Sequence, residues 1–416
     1  MLDIIRITIV FAVLLIFLRR KWNVGYVLLI ASGVLALLYR MPFPVMGSTV
    51  KSALIDPVTI KLFLALTLIK VLELVLREKQ ALARMTEASR QLLKKKKAVI
   101  ISMPMLIGLL PSIGGAYFSA PMVEESTRNL KMSPEEKGFI NYWFRHPWEC
   151  VLPLYPGVLL AAAITGLELR SFLLANATFA ALIVVTGFLF GLRGVKGIYE
   201  TEDGKRKSAE AQKPGSIFGT RESSELWSGL LSFLPIVVIL FMVIVLHVEL
   251  HYALGITILA LFAFYKFKPG EAFRALKHGF TLDVIILIFG TMLFKFTMEN
   301  SGAVVRLSQF FTERGIPLLP VLFVIPFVSG LLTGLTVGFV GSAFPLILSL
   351  GGGAHLHEIV FAFVSGYMGV LLSPVHLCLV LTREYFKADI WGIYKKTIPA
   401  AAIILAGAFI QYVVMK

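Results

Sequence analysis

Charge is scarce in this sequence: 16% of its 416 residues are Asp, Glu, Lys or Arg, against 57% hydrophobic. Soluble domains carry about 25% charged and about 45–50% apolar residues, so a soluble globular chain is excluded. Cysteine is nearly absent, with two residues. Cys150 and Cys378 both fall in apolar segments, which leaves no disulfide framework to expect. Asn and Gln are few while Lys, Arg and Glu crowd the polar stretches, a composition associated with thermophiles. There is no Walker motif, no nucleophile elbow and no HExxH, so energy from ATP bound by this chain is not expected. The first apolar run, 4–21, has no small-residue cleavage site. It reads as a first membrane helix, not a signal peptide.

What is present is hydrophobic length. Mean hydropathy is +0.82. Apolar segments long enough to span a bilayer lie near 2–19, 24–40, 58–77, 139–163, 169–192, 226–247, 250–266, 282–298, 356–381 and 396–415. The net charge of +15 reads as the positive-inside bias of cytoplasmic loops, not as a nucleic-acid surface. Two further apolar regions, 98–122 and 316–350, are broken in the middle by Gly, Pro, Ser and Thr. Their arms of roughly 20 Å fall short of a hydrocarbon core of about 30 Å. Each is therefore expected to enter and turn back as a re-entrant hairpin, buried in protein or lining a cavity.

One orientation puts the basic loops 79–97, 193–225, 266–277 and 383–396 inside, with both termini outside the cytoplasmic (inner) membrane. The predicted fold is an all-α polytopic membrane protein of about ten transmembrane helices, two of them interrupted, plus two hairpins. The order of elements in 1–192 recurs in 226–416 after the linker 193–225. An odd number of crossings separates the counterparts, so the second half is expected upside-down, an inverted-topology repeat as in many secondary transporters. The residues echo it. "GAYFSAP" at 115–121 returns as "GFVGSAFP" at 338–345, and "HPWEC" at 146–150 sits where the second half has "SPVHLC" at 373–378.

The first hairpin tip offers Ser112, Gly114, Gly115 and Ser119. The second offers Thr333, Gly334, Thr336 and Ser342, with Ser329 beside them. Helix ends at such breaks leave amides that attract anions and carbonyls that attract cations. Close packing through small residues is the competing reading. The interrupted span 139–163 holds Asn141, Arg145, His146 and Glu149, and its counterpart holds Ser373 and His376. Ionisable groups at depth face a pathway or a partner. Arg145 can meet an anion, pair with Glu149 four residues on, or snorkel to an interface. His146, Glu149 and His376 can carry a coupled proton, or His376 can be a packing residue. Lys70 and Glu73 are expected to pair locally, and Lys295 to snorkel. His355, His357 and Glu358 resemble a metal cluster in composition, but no further ligand is evident, and no metal site is expected.

On these hairpins, breaks and echoes the chain resembles the ion transporter superfamily of dicarboxylate, citrate, gluconate, lactate and arsenite carriers and some sodium/proton antiporters. It looks most like a prokaryotic integral membrane family of unknown function assigned to that superfamily. The tips read "PSIGG" and "LTGLT", where the dicarboxylate carriers carry Ser-Asn-Thr. The resemblance implies a homodimer, an elevator-like motion, and substrate with a cation between the tips and the breaks. The expected function is secondary active transport of a small anionic organic solute, coupled to a proton or sodium (H+ or Na+) gradient. Apart from that ion no cofactor is expected, and the partners are the solute and membrane lipids. Rival readings are a lipid-linked phosphate translocase and an intramembrane enzyme built on Ser, His and Glu.

Overall fold

The computed structural model describes residues 2–20, 22–93, 96–111, 115–128, 130–192, 226–315, 317–348 and 355–416. The linker 193–225 and the tip residues Ser112 and Gly114 lie outside them. The described residues form helices and no β-strand. The first half runs α1 (Leu2–Arg19), α2 (Val24–Leu38), α3 (Phe43–Ile55), α4 (Pro57–Glu78), α5 (Ala81–Leu92), α6 (Lys96–Ile107), α7 (Gly115–Thr127), α8 (Pro134–Trp143), a 3-10 turn (Pro147–Cys150), α9 (Pro156–Thr165) and α10 (Leu169–Gly187). The second half runs α11 (Leu226–Ile244), then α12 (Leu250–Phe264), α13 (Pro269–Gly279), α14 (Leu282–Asn300), α15 (Ala303–Arg314), α16 (Leu318–Thr333), α17 (Thr336–Leu348), α18 (Leu356–Leu371), α19 (Leu377–Phe386) and α20 (Ile390–Met415).

Among the described residues, three helices are continuous, long and apolar enough to cross a membrane: 169–192, 226–244 and 390–415. A fourth arises if α13 and α14, bent by 40° at their junction, count as one. The other apolar helices are shorter or carry charge. Large apolar side chains face outward on long and short helices alike, such as Ile256, Leu259 and Phe264 on α12 and Phe409, Ile410 and Val414 on α20. That surface suits lipid and would be costly in water.

Both broken apolar regions are helical pairs. Arms α6 and α7 pack on each other, as do α16 and α17. At 12 to 16 residues, the arms reach only about 18–24 Å. Both expected interrupted spans are broken too. The chain leaves α8 at Trp143, makes the 3-10 turn and restarts at Pro156, and it leaves α18 at Leu371 and restarts at Leu377. Proline explains the restarts in the first break, since Pro147 and Pro156 each sit at a first helical position, where no amide partner is needed.

Three stretches expected as loops or linkers are helices. The basic segment after α4 forms α5, because Ala81, Met85 and Ala88 recur at helical spacing and are buried, while Glu87 is exposed and Arg84 bonds Ser232 and Tyr265. α13 buries Ala275 and Gly279, and α15 buries Ala303 and Leu307, on the same logic.

Packing pairs the halves reciprocally. α2 lies on α14, and α4 lies on α12. The second arm of the first hairpin, α7, packs on α19, while the second arm of the other hairpin, α17, packs on α9. α8 meets α20, and α18 meets α10. Each of these contacts thus has its exchanged twin.

Candidate site where the two breaks meet

The reciprocal packing brings the two breaks together in the interior. His146 follows α8, and His376 is the residue before α19. Their Nε2 atoms are 3.1 Å apart, and both side chains are buried. Each ring is fixed by its other nitrogen. His146 Nδ1 lies 2.5 Å from the Tyr142 carbonyl, and His376 Nδ1 lies 2.7 Å from the Gly334 carbonyl at the second hairpin tip. A carbonyl oxygen only accepts, so each Nδ1 carries the hydrogen. The two facing Nε2 atoms then present lone pairs to each other.

Three more groups close the cluster. Glu149 Oε1, in the 3-10 turn, is 3.7 Å from His146 Nε2. Cys378, in the first turn of α19, accepts from Arg145 Nη1 at 3.1 Å. The donor atoms of His146, His376 and Cys378 all lie within 4.8 Å of one another. Tyrosines hold the surrounding backbone: Tyr142 donates to Leu371 O at 2.8 Å, Tyr367 to His146 O at 2.6 Å, and Tyr155 to Gly108 O. The ring of Tyr142 also packs edge-on against both histidines.

Arg145 is 2% exposed. The snorkelling alternative is thereby ruled out, because the guanidinium is interior and reaches across to the second half. Asn141, fully buried on α8, donates to Ala116 O and Thr382 Oγ1 and accepts from Ser119. It ties the first hairpin to both breaks. Ser119 spends its hydroxyl there, so it does not form the Ser–His pair that intramembrane hydrolysis would require of it.

Gly115 opens α7, and its carbonyl accepts from Ser119. Ser342 repeats this with Gly338 and also meets Ser329 at 2.7 Å, joining the arms of the second hairpin. Thr333 closes α16, and Gly334 makes the turn at φ +63°. Thr336 opens α17 within hydrogen-bonding reach of Glu149. Ser373 is buried in the second break and caps Val375 N at 3.4 Å.

A cavity of about 880 Å³ lies against this cluster. Both hairpins reach it, through Leu110 and Pro111 on one side and Leu335 and Val337 on the other, and Pro156 at the restart of α9 joins them. The expected site residues are not its lining. They sit one layer behind, where Thr336, between Leu335 and Val337, meets Glu149. The wall is largely apolar, with Lys70, Arg77 and His278 set against Glu73 and Asp283. Lys70 stays within electrostatic reach of Glu73 and also donates to Thr281 at 3.2 Å, a contact 211 residues away. Lys295 lies half-buried with its amine over the Phe296 ring. His357 contacts Glu358 at 3.9 Å and the Tyr412 ring, apart from the cluster.

Sequence reasoning missed Cys378, Tyr142, Tyr155 and Tyr367. Cys378 was within sight, since it ends the "SPVHLC" echo of "HPWEC". Cys150 and Cys378 are both free and buried.

Fold and site together define an all-helical membrane protein in which two broken helices meet at a buried histidine pair. The chain belongs to the family described as "Protein of unknown function (DUF401)", whose pattern matches residues 4–205 and 213–415. No curated protein matches the chain significantly.

Proposed function

We propose that the protein is a secondary active transporter. It would move a small amphipathic organic anion across the cytoplasmic membrane, as an inverted repeat of ten crossings and two re-entrant hairpins with both termini outside. The likeness to the ion transporter superfamily and a homodimeric elevator motion belong to the same reading. The observation that carries it is the cavity that both hairpins reach, through Leu110 and Pro111 and through Leu335 and Val337, with the two breaks meeting behind it and the main inter-half contacts paired reciprocally. Half-depth helix ends in mid-membrane are tolerated where they are buried in protein or line a cavity, and a cavity between such ends is where a transporter of this layout holds its guest.

The apolar wall with a few basic groups suits an organic anion better than an inorganic one. Arg145 stands behind the tips as a fixed positive charge. The coupling cation would meet His146, Glu149 and His376. Paired imidazoles favour a proton over sodium, which prefers oxygen donors. Phe118, 66% exposed at the cavity wall, supports one further reading, a lipid-linked phosphate that enters from the side.

The test is a thermal-shift screen of purified protein against organic anions and lipid-linked phosphates, with and without sodium and across pH. Stabilisation follows ligand concentration over its dissociation constant. A soluble anion is expected to raise the melting temperature in a pH-dependent, sodium-independent way, and Arg145→Ala to lose that shift. Stabilisation by lipid-linked phosphate alone selects the second reading. No shift with either class removes the carrier interpretation.

A further inference from the structure

We propose that the cluster between the two breaks is a binding site for one divalent transition-metal ion of the zinc type. Its donors are His146 Nε2, His376 Nε2, Cys378 Sγ and the Glu149 carboxylate. The proposal stands whether or not the chain is a carrier.

The argument begins with the two histidines. Both Nδ1 hydrogens go to backbone carbonyls, so two nitrogen lone pairs face each other at 3.1 Å inside the protein. Facing lone pairs repel unless a cation lies between or beside them. A ring hydrogen bonded to a carbonyl while the other nitrogen points inward is the usual arrangement of a metal-ligating histidine, because the carbonyl fixes both tautomer and ring plane.

The remaining donors fit the same ion. Zinc bonds of about 2.0–2.3 Å in a tetrahedron place donor atoms about 3.3–3.8 Å apart. The histidine nitrogens are 3.1 Å apart, Glu149 Oε1 is 3.7 Å from His146 Nε2, and Cys378 Sγ lies within 4.8 Å of both rings. Small side-chain rotations close that set. Two imidazoles and a thiol are borderline-to-soft donors, which select zinc, cobalt or copper over sodium, magnesium or calcium.

Charge also works out. Cys378 binds as the thiolate and releases its proton, so thiolate and carboxylate together cancel the dication. Arg145, donating to Cys378 Sγ at 3.1 Å, is then an outer partner of a metal-bound sulfur, a place where a hydrogen bond orients the ligand. An access path exists. The cavity reaches Leu335 and Val337 at the second tip, and Thr336 between them touches Glu149, whose side chain is 11% exposed. Metal and proton would compete for the same nitrogens, so loading this site expels protons.

The test uses the full-length, tag-free protein in detergent, stripped with a chelator. Cobalt(II) is titrated as the spectroscopic probe and zinc as the competitor. One equivalent of cobalt is expected to bring up a thiolate-to-cobalt charge-transfer band with tetrahedral d–d absorption, both bleached by zinc. Cys378→Ser should lose the charge-transfer band, while Cys150→Ser should keep it. A wild-type titration without the band overturns the metal site, and this arm needs no variant to fold. So does a band that survives Cys378→Ser. Either failure leaves the transport reading intact, because a shared proton can occupy the same nitrogen pair.

Discussion

The Ser119 hydroxyl donates to Asn141 Oδ1 at 2.6 Å, which locks the first hairpin to the first broken helix. From the same amide, Nδ2 reaches Ala116 O at 3.0 Å and Thr382 Oγ1 at 2.9 Å, in the second half of the chain. One fully buried side chain thus joins three elements. Removing it deprives Thr382 Oγ1 of its donor and leaves the Ser119 hydroxyl only its longer bonds to Gly115 O and Ala116 O. Asn141→Ala should destabilise the protein by about 1–3 kcal/mol, the cost of leaving a buried polar group without its partner. Ser119→Ala and Thr382→Val should each cost less, and the three should not add. Melting in detergent reads this, and an Asn141→Ala protein that melts with the wild type would show that the network holds nothing together.

Close backbone contact, not side-chain interlocking, joins α16 to α18. A Cβ at Gly369 would overlap the Phe327 carbonyl and one at Gly330 would overlap the Gly366 carbonyl, whereas a Cβ at Gly33 on α2 would meet nothing within 4 Å. Small residues let membrane helices approach in this way. Gly369→Val should therefore lower stability by about 1–3 kcal/mol or abolish folded expression. Gly33→Ala should be neutral or stabilising by about 0.5–1 kcal/mol, because alanine loses less entropy in a helix. Melting temperatures of the two variants decide it, and equal effects would mean that the α16–α18 contact is not close.

How much of this was legible in the sequence follows from the physics of each signal. The hairpins and breaks were visible because Gly, Pro and Ser interrupt runs whose arms are too short to span. The position of His376 was visible through the echo of "HPWEC". The short helices α5, α13 and α15 were hidden, because their charges outweigh the few small apolar residues that they bury. Lys70 was assigned to Glu73 alone because spacing sees only local partners, while Thr281 lies 211 residues on. Cys378 was passed over for the same reason, since a lone thiol acquires meaning only when the fold brings two imidazoles to it. The site therefore centres on the breaks, where the sequence placed His146, Glu149 and His376, one layer behind the hairpin residues that line the cavity.

Outside the membrane, the start of α8 is tied to the start of α20. Bonds from its own backbone amide, from the Ser133 hydroxyl and from the Asp389 amide hold Glu135 below the usual carboxylate range. A carboxylate with a depressed folded-state pKa contributes stability that is present above its unfolded pKa of about 4.3 and is lost as pH falls through the folded value. Acidification from neutrality to about pH 3 should lower the melting temperature, and Glu135→Gln should shrink that drop while leaving neutral-pH transport unchanged. A Gln variant that loses as much on acidification as the wild type would assign the acid sensitivity to other carboxylates.

Gly334 is where backbone conformation and chemistry coincide. It turns the second hairpin at φ +63°, and its carbonyl holds His376 Nδ1 at 2.7 Å. A Cβ there would approach His376 N at 2.9 Å and Ser373 Oγ at 3.1 Å. Gly334→Ala therefore pushes the tip away from the break and releases the His376 ring, at about 1–2 kcal/mol for the left-handed residue plus the cost of the local shift away from the His376 backbone. The freed ring can then turn its Nε2 lone pair off the facing histidine. The expected outcome is a protein that folds and melts somewhat below the wild type but has lost the cobalt charge-transfer band and the anion-induced thermal shift together. If Gly334→Ala retains both, the carbonyl of the tip does not set the histidine, and the tip and the break are not one site.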